Sequence, residues 1–310
     1  MKARRIRIGA RSSKLSQSQV SIVSSLLGER FGSMFQLEFV PVKTFGDRKR
    51  PALRGSYGPA GAKGAFTGDL ESLLSKGEID LAIHSMKDLP SEPTRGLTVG
   101  ATPRRSDPRD ALVANDGGTF ERLPRGAKIG TSSLRRKAQL LKMRRDVDVV
   151  DVHGNVDTRI RKAIGEGSDL DAIVLAVAGL ERIGEGDKIS QTFSIDEVVP
   201  AVGQGIIAVQ VREDDREMAE IVSGIDHLET RLESSCERAF ARRLGADCSV
   251  PVGGCAKVSR GSISMVGMLA SKDCEALSKR SVKGASGDGV ALGASLAEEL
   301  LDSGRLWAAS

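Results

Sequence analysis

The densest run of reactive side chains is Ile83-His84-Ser85-Met86-Lys87-Asp88-Leu89-Pro90, which comes straight off a buried apolar strand. Enzymes built from alternating strands and helices place reactive groups where strands end. Lys87 and Asp88 offer a cation that can hold a substrate carboxylate, and a carboxylate that can move protons or face a developing positive charge. His84 is expected to be a strand-end histidine satisfied by backbone rather than an acid-base group. A second run, Gly130-Thr131-Ser132-Ser133-Leu134-Arg135-Arg136, leaves a strand through small residues and enters a helix with Leu134, Ala138 and Leu141 on its apolar face. Free backbone N–H groups, a capping serine and two arginines meet at that helix start. Successive helical residues point about 100° apart, so Arg135 and Arg136 can approach an anion from different sides. A solvated basic face accounts for Lys142, Arg144 and Arg145, but less well for arginines at a helix mouth, where the dipole disfavours cations. This segment is therefore read as an anion site.

Two weaker signals follow. His153-Gly154-Asn155-Val156-Asp157-Thr158-Arg159 again runs from strand to helix, with Asn155 as cap and Arg159 one turn inside. Asp107-Pro108-Arg109-Asp110, preceded by Arg104 and Arg105, reads as a charged turn as readily as a site. Cysteines stand at 236, 248, 255 and 274 without a C-x-x-C pair, and with three histidines in the chain no zinc site is expected. Cys248, in Gly245-Ala246-Asp247-Cys248-Ser249-Val250-Pro251, falls in a turn-like loop after a charged helix, where its thiol is accessible. No histidine is near in sequence to serve as its base. Cys236 is expected to be a small apolar core residue, and all four are read as reduced thiols.

The elements that position these residues alternate. A strand at 6–9 precedes a helix with Leu15, Ile22, Val23, Leu26 and Leu27 on one face, then a strand at 37–42. A helix over 66–74 and a buried strand at 79–83 come next, then strand 128–130 with helix 133–142, strand 147–150 with helix 156–164, and strand 172–175. That rhythm is α/β. The stretch 45–64, rich in Gly, Pro, Lys and Arg without apolar periodicity, reads equally as a mobile flap or a solvated loop. After Gly205 the pattern changes to helices near 215–222 and 228–244, strands at 256–258 and 263–269, and a last helix near 292–301, a separate α+β domain.

The 310 residues point to two or three domains. Neither a membrane span nor disorder is indicated, with 40% hydrophobic and 28% charged residues and no long uncharged apolar run. The basic N-terminus leads into a strand rather than a signal core, so a cytoplasmic protein is expected. A net charge of +5 could serve nucleic acid, but one Trp, one Tyr and eight Phe leave few rings for bases to stack on. A polyanionic small molecule fits the single arginines beside glycines and at helix starts.

Taken together, the segments I-R-I-G-A-R-S-S-K-L, K-T-F-G-D, G-A-F-T-G-D-L-E, D-L-A-I-H-S-M-K-D-L-P, D-P-R-D-A-L, G-T-S-S-L-R-R, H-G-N-V-D-T-R, L-A-V-A-G-L-E-R, P-A-V-G-Q-G and E-R-A-F-A-R-R-L-G-A-D-C-S-V-P-V-G resemble the porphobilinogen deaminase (hydroxymethylbilane synthase) family. The resemblance implies two periplasmic-binding-protein-like α/β domains around a cleft plus a smaller C-terminal α+β domain. The implied bounds are 1–103 with 200–221 for domain one, 104–199 for domain two and 222–310 for domain three. The implied transferase reaction of tetrapyrrole (haem) biosynthesis condenses four porphobilinogen molecules head to tail with release of ammonia, then hydrolyses the product to hydroxymethylbilane. Its primer is a dipyrromethane joined by a thioether to the cysteine matching Cys248, with no metal, nucleic acid or membrane required and a monomer favoured.

By the same resemblance Asp88 matches the catalytic aspartate. Arg11, Ser13, Lys87, Arg135, Arg136, Arg159 and Arg182 match positions that hold cofactor or substrate carboxylates, with Arg105 beside them and Thr131, Ser132 and Ser133 adding donors. Planar carboxylates accumulate as the product grows, and arginine suits them better than lysine. Loss of ammonia leaves a cationic azafulvene, whose charge one carboxylate at the pyrrole N–H groups can stabilise. His153 stands where the family usually has arginine, and Gly68 where it often has lysine, so both subtract positive charge. A partly protonated His153, or Arg161 nearby, would restore some of it. A solute-binding protein without chemistry is the rival reading, and a nucleic-acid-binding protein a distant third.

Overall fold

A computed structural model describes residues 4–44, 67–165, 167–245 and 250–303. The stretch expected as a flap, 45–64, and Cys248 lie outside the described residues. The chain divides into two compact units: Met1–Arg105 with Ile206–Arg231, and Ser106–Gly205 with Leu232–Ser310.

In the first unit, β1 (Arg4–Arg11), β2 (Phe35–Val42), β3 (Leu81–Ser85), β4 (Leu97–Ala101) and β10 (Ile207–Arg212) form one sheet in the order β2-β1-β3-β10-β4. β1 runs parallel to β2 and β3, while β10 returns antiparallel between β3 and β4. The central strand β3 is buried from Leu81 to His84, as a strand covered on both faces must be. Helices α1 (Lys14–Phe31), α2 (Gly68–Ser75) and α6 (Arg216–Ser223) belong to this unit. Its core joins Ile6, Ile8, Val20, Val23, Leu27, Leu81, Ile83, Val209 and Val222. The expected face of α1 meets this core, with Val23 and Leu27 buried and Ile22 and Leu26 packed against it, while Leu15 is half-buried and Ser16 and Gln19 are buried as well.

The second unit repeats that plan. β5 (Asp110–Ala114), β6 (Lys128–Gly130), β7 (Asp148–Val150), β8 (Ala172–Ala176) and β9 (Gln191–Thr192) lie in the order β7-β6-β8-β5-β9, with β5 antiparallel to β8 and β9. In both sheets the second parallel strand, the first, the third, one antiparallel strand and a last strand follow in turn. Helices α3 (Leu134–Met143), α4 (Val156–Ala163) and α5 (Val177–Arg182) connect them. Phe120 and Phe193 meet edge to face at 5.7 Å in the core beside Leu112, Ile129, Leu140 and Val174. Gly205 has φ +85°, and a Cβ there would stand 2.5 Å from the Ser106 carbonyl oxygen, so only glycine lets the two segments pass this closely.

The same unit holds an antiparallel sheet of β11 (Val252–Ser259), β12 (Ser262–Ala270) and β13 (Leu277–Ala285), in that order. It is packed by α8 (Gly289–Ser303) and by α7 (Leu228–Arg243) from Leu232 onward. Cys236, Phe240, Met265, Leu296 and Leu300 fill the space between, with Cys236 buried as expected. Ala138 on α3 packs with Val199, Met268, Ala270 and Cys274, which joins the small sheet to the larger one. The architecture is thus α/β with two five-stranded sheets and a smaller C-terminal α+β element, the class read from the sequence.

Candidate active site

Parallel strands carry their loops on one edge, and the first unit gathers four of the expected residues there. Arg11 ends β1, and Ser13 caps α1, its Oγ accepting from the Ser16 N–H at 3.2 Å. Lys87 and Asp88 lie in the single helical turn Met86–Asp88 that continues β3, Lys87 half-buried and Asp88 exposed. The turn is tied down by the Met86 N–H, which donates to the Ile206 carbonyl at 3.0 Å. Arg105 follows β4, its backbone N–H donating to Thr230 Oγ1 at 3.0 Å. His84 is buried and bonded to the side chain of Gln210, not to backbone as expected, and burial pushes its pKa down to about 4. Burial thus favours the neutral imidazole.

In the second unit the same edge carries Thr131, Ser132, Ser133, His153 and the start of α3. Thr131 Oγ1 accepts from the Ser133 N–H at 3.3 Å, and Ser133 caps α3 by accepting from the Arg136 N–H at 3.4 Å. Ser132 Oγ donates to the Val152 carbonyl at 2.9 Å and lies 3.4 Å from His153 Nδ1, so the structure brings these two expected residues together. His153 is exposed, and its carbonyl accepts from Lys162. Arg159 turns back to donate to the Gly154 carbonyl at 2.7 Å. Asn155 occupies the cap position of α4 but its side chain makes no capping bond. Arg161 is exposed and faces Asp157 at 3.6 Å. Among the described residues nothing lies within 4 Å of a Cβ placed at Gly68, at the start of α2.

Arg135 and Arg136 differ most from expectation. The two do reach one anion from different sides, but that anion is internal. Arg135 Nη1 donates to Asp110 Oδ2 at 2.7 Å and to the Val199 carbonyl at 2.6 Å. Arg136 donates through Nε and Nη2 to Asp110 Oδ1, at 3.1 and 2.7 Å, and through Nη1 to the Val174 carbonyl at 2.9 Å. Gln204 Nε2 adds a bond to Asp110 Oδ1 at 2.9 Å and one to the Pro108 carbonyl at 2.7 Å. Asp110 is fully buried and both arginines nearly so. Burial alone would raise the Asp110 pKa, but the two guanidinium charges and their hydrogen bonds outweigh it and hold the carboxyl well below the usual range. The segment Asp107–Asp110 therefore splits. Arg109 pairs with Asp107 in an exposed charged turn, whereas Asp110 is the centre of a buried network.

Sequence reading took Asp110 only as the end of a charged turn or site and gave no role to Gln204 or to Gln139, whose Oε1 accepts from the Val199 N–H at 2.7 Å. The available signal was an aspartate directly before the apolar run Ala111-Leu112-Val113-Ala114, where a strand buries it. Arg182 closes α5, and its Nη2 donates to the Gly205 carbonyl at 2.7 Å and to Ser106 Oγ at 3.1 Å. Its Nε is buried without a partner, and burial pushes its pKa down to about 10. The Asp110 cluster thus sets two guanidinium charges against one carboxylate, and the Glu181 charge acts on Arg182.

Residues 6–220 match the family model described as porphobilinogen deaminase, dipyromethane cofactor binding domain, and residues 231–302 match that of porphobilinogen deaminase, C-terminal domain. The chain belongs to the porphobilinogen deaminase family. Relatives of that name include one from Pelotomaculum thermopropionicum, 46% identical over 97% of this chain and 95% of its own length. Another, from Geobacter sulfurreducens, is 42% identical over 98% of this chain and 93% of its own. Among solved structures, the periplasmic aliphatic sulphonate binding protein SsuA of Escherichia coli is similar with a TM-score of 0.39 and 15% identity, covering 78% of this chain and 75% of its own. Membership makes the chain an enzyme of tetrapyrrole biosynthesis with a dipyrromethane-binding domain, as the sequence motifs implied.

That cofactor carries carboxylates, and the residues present fit it. Ser13 in the first unit, and separately Thr131, Ser132 and Ser133 in the second, place hydroxyl and backbone donors at strand ends and helix starts, and among the described residues the buried Arg182 Nε has no hydrogen-bond partner.

Proposed function

We propose that the chain joins porphobilinogen units head to tail, with release of ammonia at each addition, on a dipyrromethane linked by a thioether to Cys248, and that it hydrolyses the finished chain to hydroxymethylbilane. The observation that carries this reading is an exposed carboxylate, Asp88, on the short turn after the buried central strand, beside Lys87, in a chain whose matches to the family cover residues 6–220 and 231–302. The bound cofactor supplies the nucleophilic pyrrole carbon. Asp88 faces the pyrrole N–H groups of the incoming unit and stabilises the positive charge that grows there as ammonia leaves. Lys87, Arg11, Ser13 and Arg105 in the first unit, with Thr131, Ser132, Ser133, His153, Arg159 and Arg182 in the second, hold the carboxylates. Arg135 and Arg136 act from inside, as two guanidinium charges set against the one Asp110 carboxylate.

Support for Cys248 comes from the other three cysteines. Cys236, Cys255 and Cys274 are buried, and burial, reinforced by the Glu237 charge, pushes the Cys236 thiol up to about 12. Burial raises the Cys274 thiol as well. Our reading keeps three domains, 1–103 with 200–221, 104–199 and 222–310, the last carrying Cys248. It also places the reaction in the cytoplasm, on a monomer, without nucleic acid. Among the described residues no helix is long and apolar enough to cross a membrane.

Porphobilinogen supplied to the purified protein is expected to disappear with one ammonia released for each unit consumed and hydroxymethylbilane as product. Binding of porphobilinogen without any ammonia would instead mark a solute-binding protein.

A further inference from the structure

Burying an amide side chain is costly unless its donors and acceptor are met, so buried glutamines show where a fold spends polar contacts. Among the described residues of the first unit, two glutamines are buried, Gln19 and Gln210. Both reach the last two residues of β3. Gln19 Nε2, on α1, donates to Ser85 Oγ at 2.9 Å. Gln210, on β10, lies diagonal to His84 on the same face of the sheet, since Ala208 pairs with His84 and Gln210 with Ala82. Its Oε1 is 3.1 Å from His84 Nε2.

The Gln210 amide is oriented in turn. Its Nε2 donates to Glu71 Oε1 on α2 at 2.9 Å, and Thr94 Oγ1 donates to the same oxygen at 2.9 Å. An amide whose N–H₂ faces a carboxylate must present its oxygen to the imidazole, so His84 donates from Nε2 and its tautomer and ring plane are set. The neutral state imposed by burial suits this role. Hydrogen bonds thus run in one direction, from His84 through Gln210 to Glu71. Apolar residues of equal size would fill these positions without any polar cost. Their polar side chains instead converge on the two residues directly before the turn that carries Lys87 and Asp88.

We propose that Gln210 is a positioning residue for the condensation reaction. Through His84, and in parallel with Gln19 through Ser85, it fixes the end of β3 and thereby the direction in which the Met86–Asp88 turn presents the Asp88 carboxylate. This rests on the reading of Asp88 given above. A carboxylate displaced by a fraction of an ångström still binds substrate but meets the developing charge poorly, so the effect belongs in kcat rather than KM.

The test is a double-mutant cycle on the full-length, cofactor-loaded enzyme, with porphobilinogen turnover, thermal melting and intact mass as readouts. Gln210→Met is expected to lower kcat about tenfold, with KM within twofold and the cofactor retained, and to lower the melting temperature modestly because His84 and Glu71 each lose a buried partner. In an Asp88→Asn background the same substitution is expected to cost less than twofold, because the group it positions is gone. Equal losses in both backgrounds, or a wild-type kcat for Gln210→Met, would overturn the proposal. Should Gln210→Met fail to fold, Gln19→Met is judged by the same two comparisons. If Asp88→Asn alone turns over normally, the reading of Asp88 fails instead, and the two failures are told apart.

Discussion

Asp88→Asn is expected to lower porphobilinogen turnover about a hundredfold or more, while the folded protein keeps its melting temperature and its covalent cofactor. The side chain is exposed on a three-residue turn and supports no packing in the unit, so its loss removes charge without removing structure. Asparagine keeps the shape and can still accept a hydrogen bond, but it no longer opposes the positive charge that forms as ammonia leaves. A preorganised charge aimed at such a centre contributes about 3–4 kcal/mol, against about 1 kcal/mol for a surface ion pair. Ammonia release under saturating porphobilinogen measures the effect. Turnover within threefold of wild type would remove Asp88 from the chemistry.

The largest effect on stability is expected at Asp110. Asp110→Asn leaves Arg135 and Arg136 buried without a counter-charge, which costs about 3–5 kcal/mol where a buried pair is broken from one side. Urea unfolding at neutral pH gives the number. Acid behaviour provides an independent check whose sign follows from the depressed pKa of Asp110. The unfolded chain takes up this proton near its ordinary pKa of about 3.9, whereas the folded state resists it. The stabilisation is therefore fully present above that value and is lost as the pH falls below it toward the folded pKa. Wild-type stability should decline below about pH 4 more steeply than that of Asp110→Asn. An Asp110→Asn protein as stable as wild type would mean that the two arginines are held by something else.

The contrast between Lys87-Asp88 and Arg135-Arg136 shows what sequence can and cannot tell. An apolar run ending in charged residues located β3 and the turn beyond it, because a strand covered on both faces has little choice of residue type. The direction of a long side chain carries no such mark. Arg135 and Arg136 fit an external anion equally well on paper, and only the return of β5, with Asp110 as its first residue, turns them inward. β10 and β13 were missed for opposite reasons. Ile207–Arg212 is a short apolar run with one polar break, Gln210, that reads as noise until Glu71 and His84 are seen beside it. Leu277–Ala285 is an edge strand whose outward polar residues hide its period. Gln19 is buried with Val23 and Leu27, but a polar residue carries no mark of that in an apolar period.

Covalent attachment of the cofactor to Cys248 is the point on which the proposed chemistry turns. The most direct measurement is the intact mass of the purified protein beside that of Cys248→Ser. The expected result is an excess over the sequence mass equal to one dipyrromethane in the wild type, either as purified or after incubation with porphobilinogen, and no excess in Cys248→Ser under either condition. The same adduct on Cys248→Ser, or a wild-type protein that gains no mass even with porphobilinogen present, would contradict it.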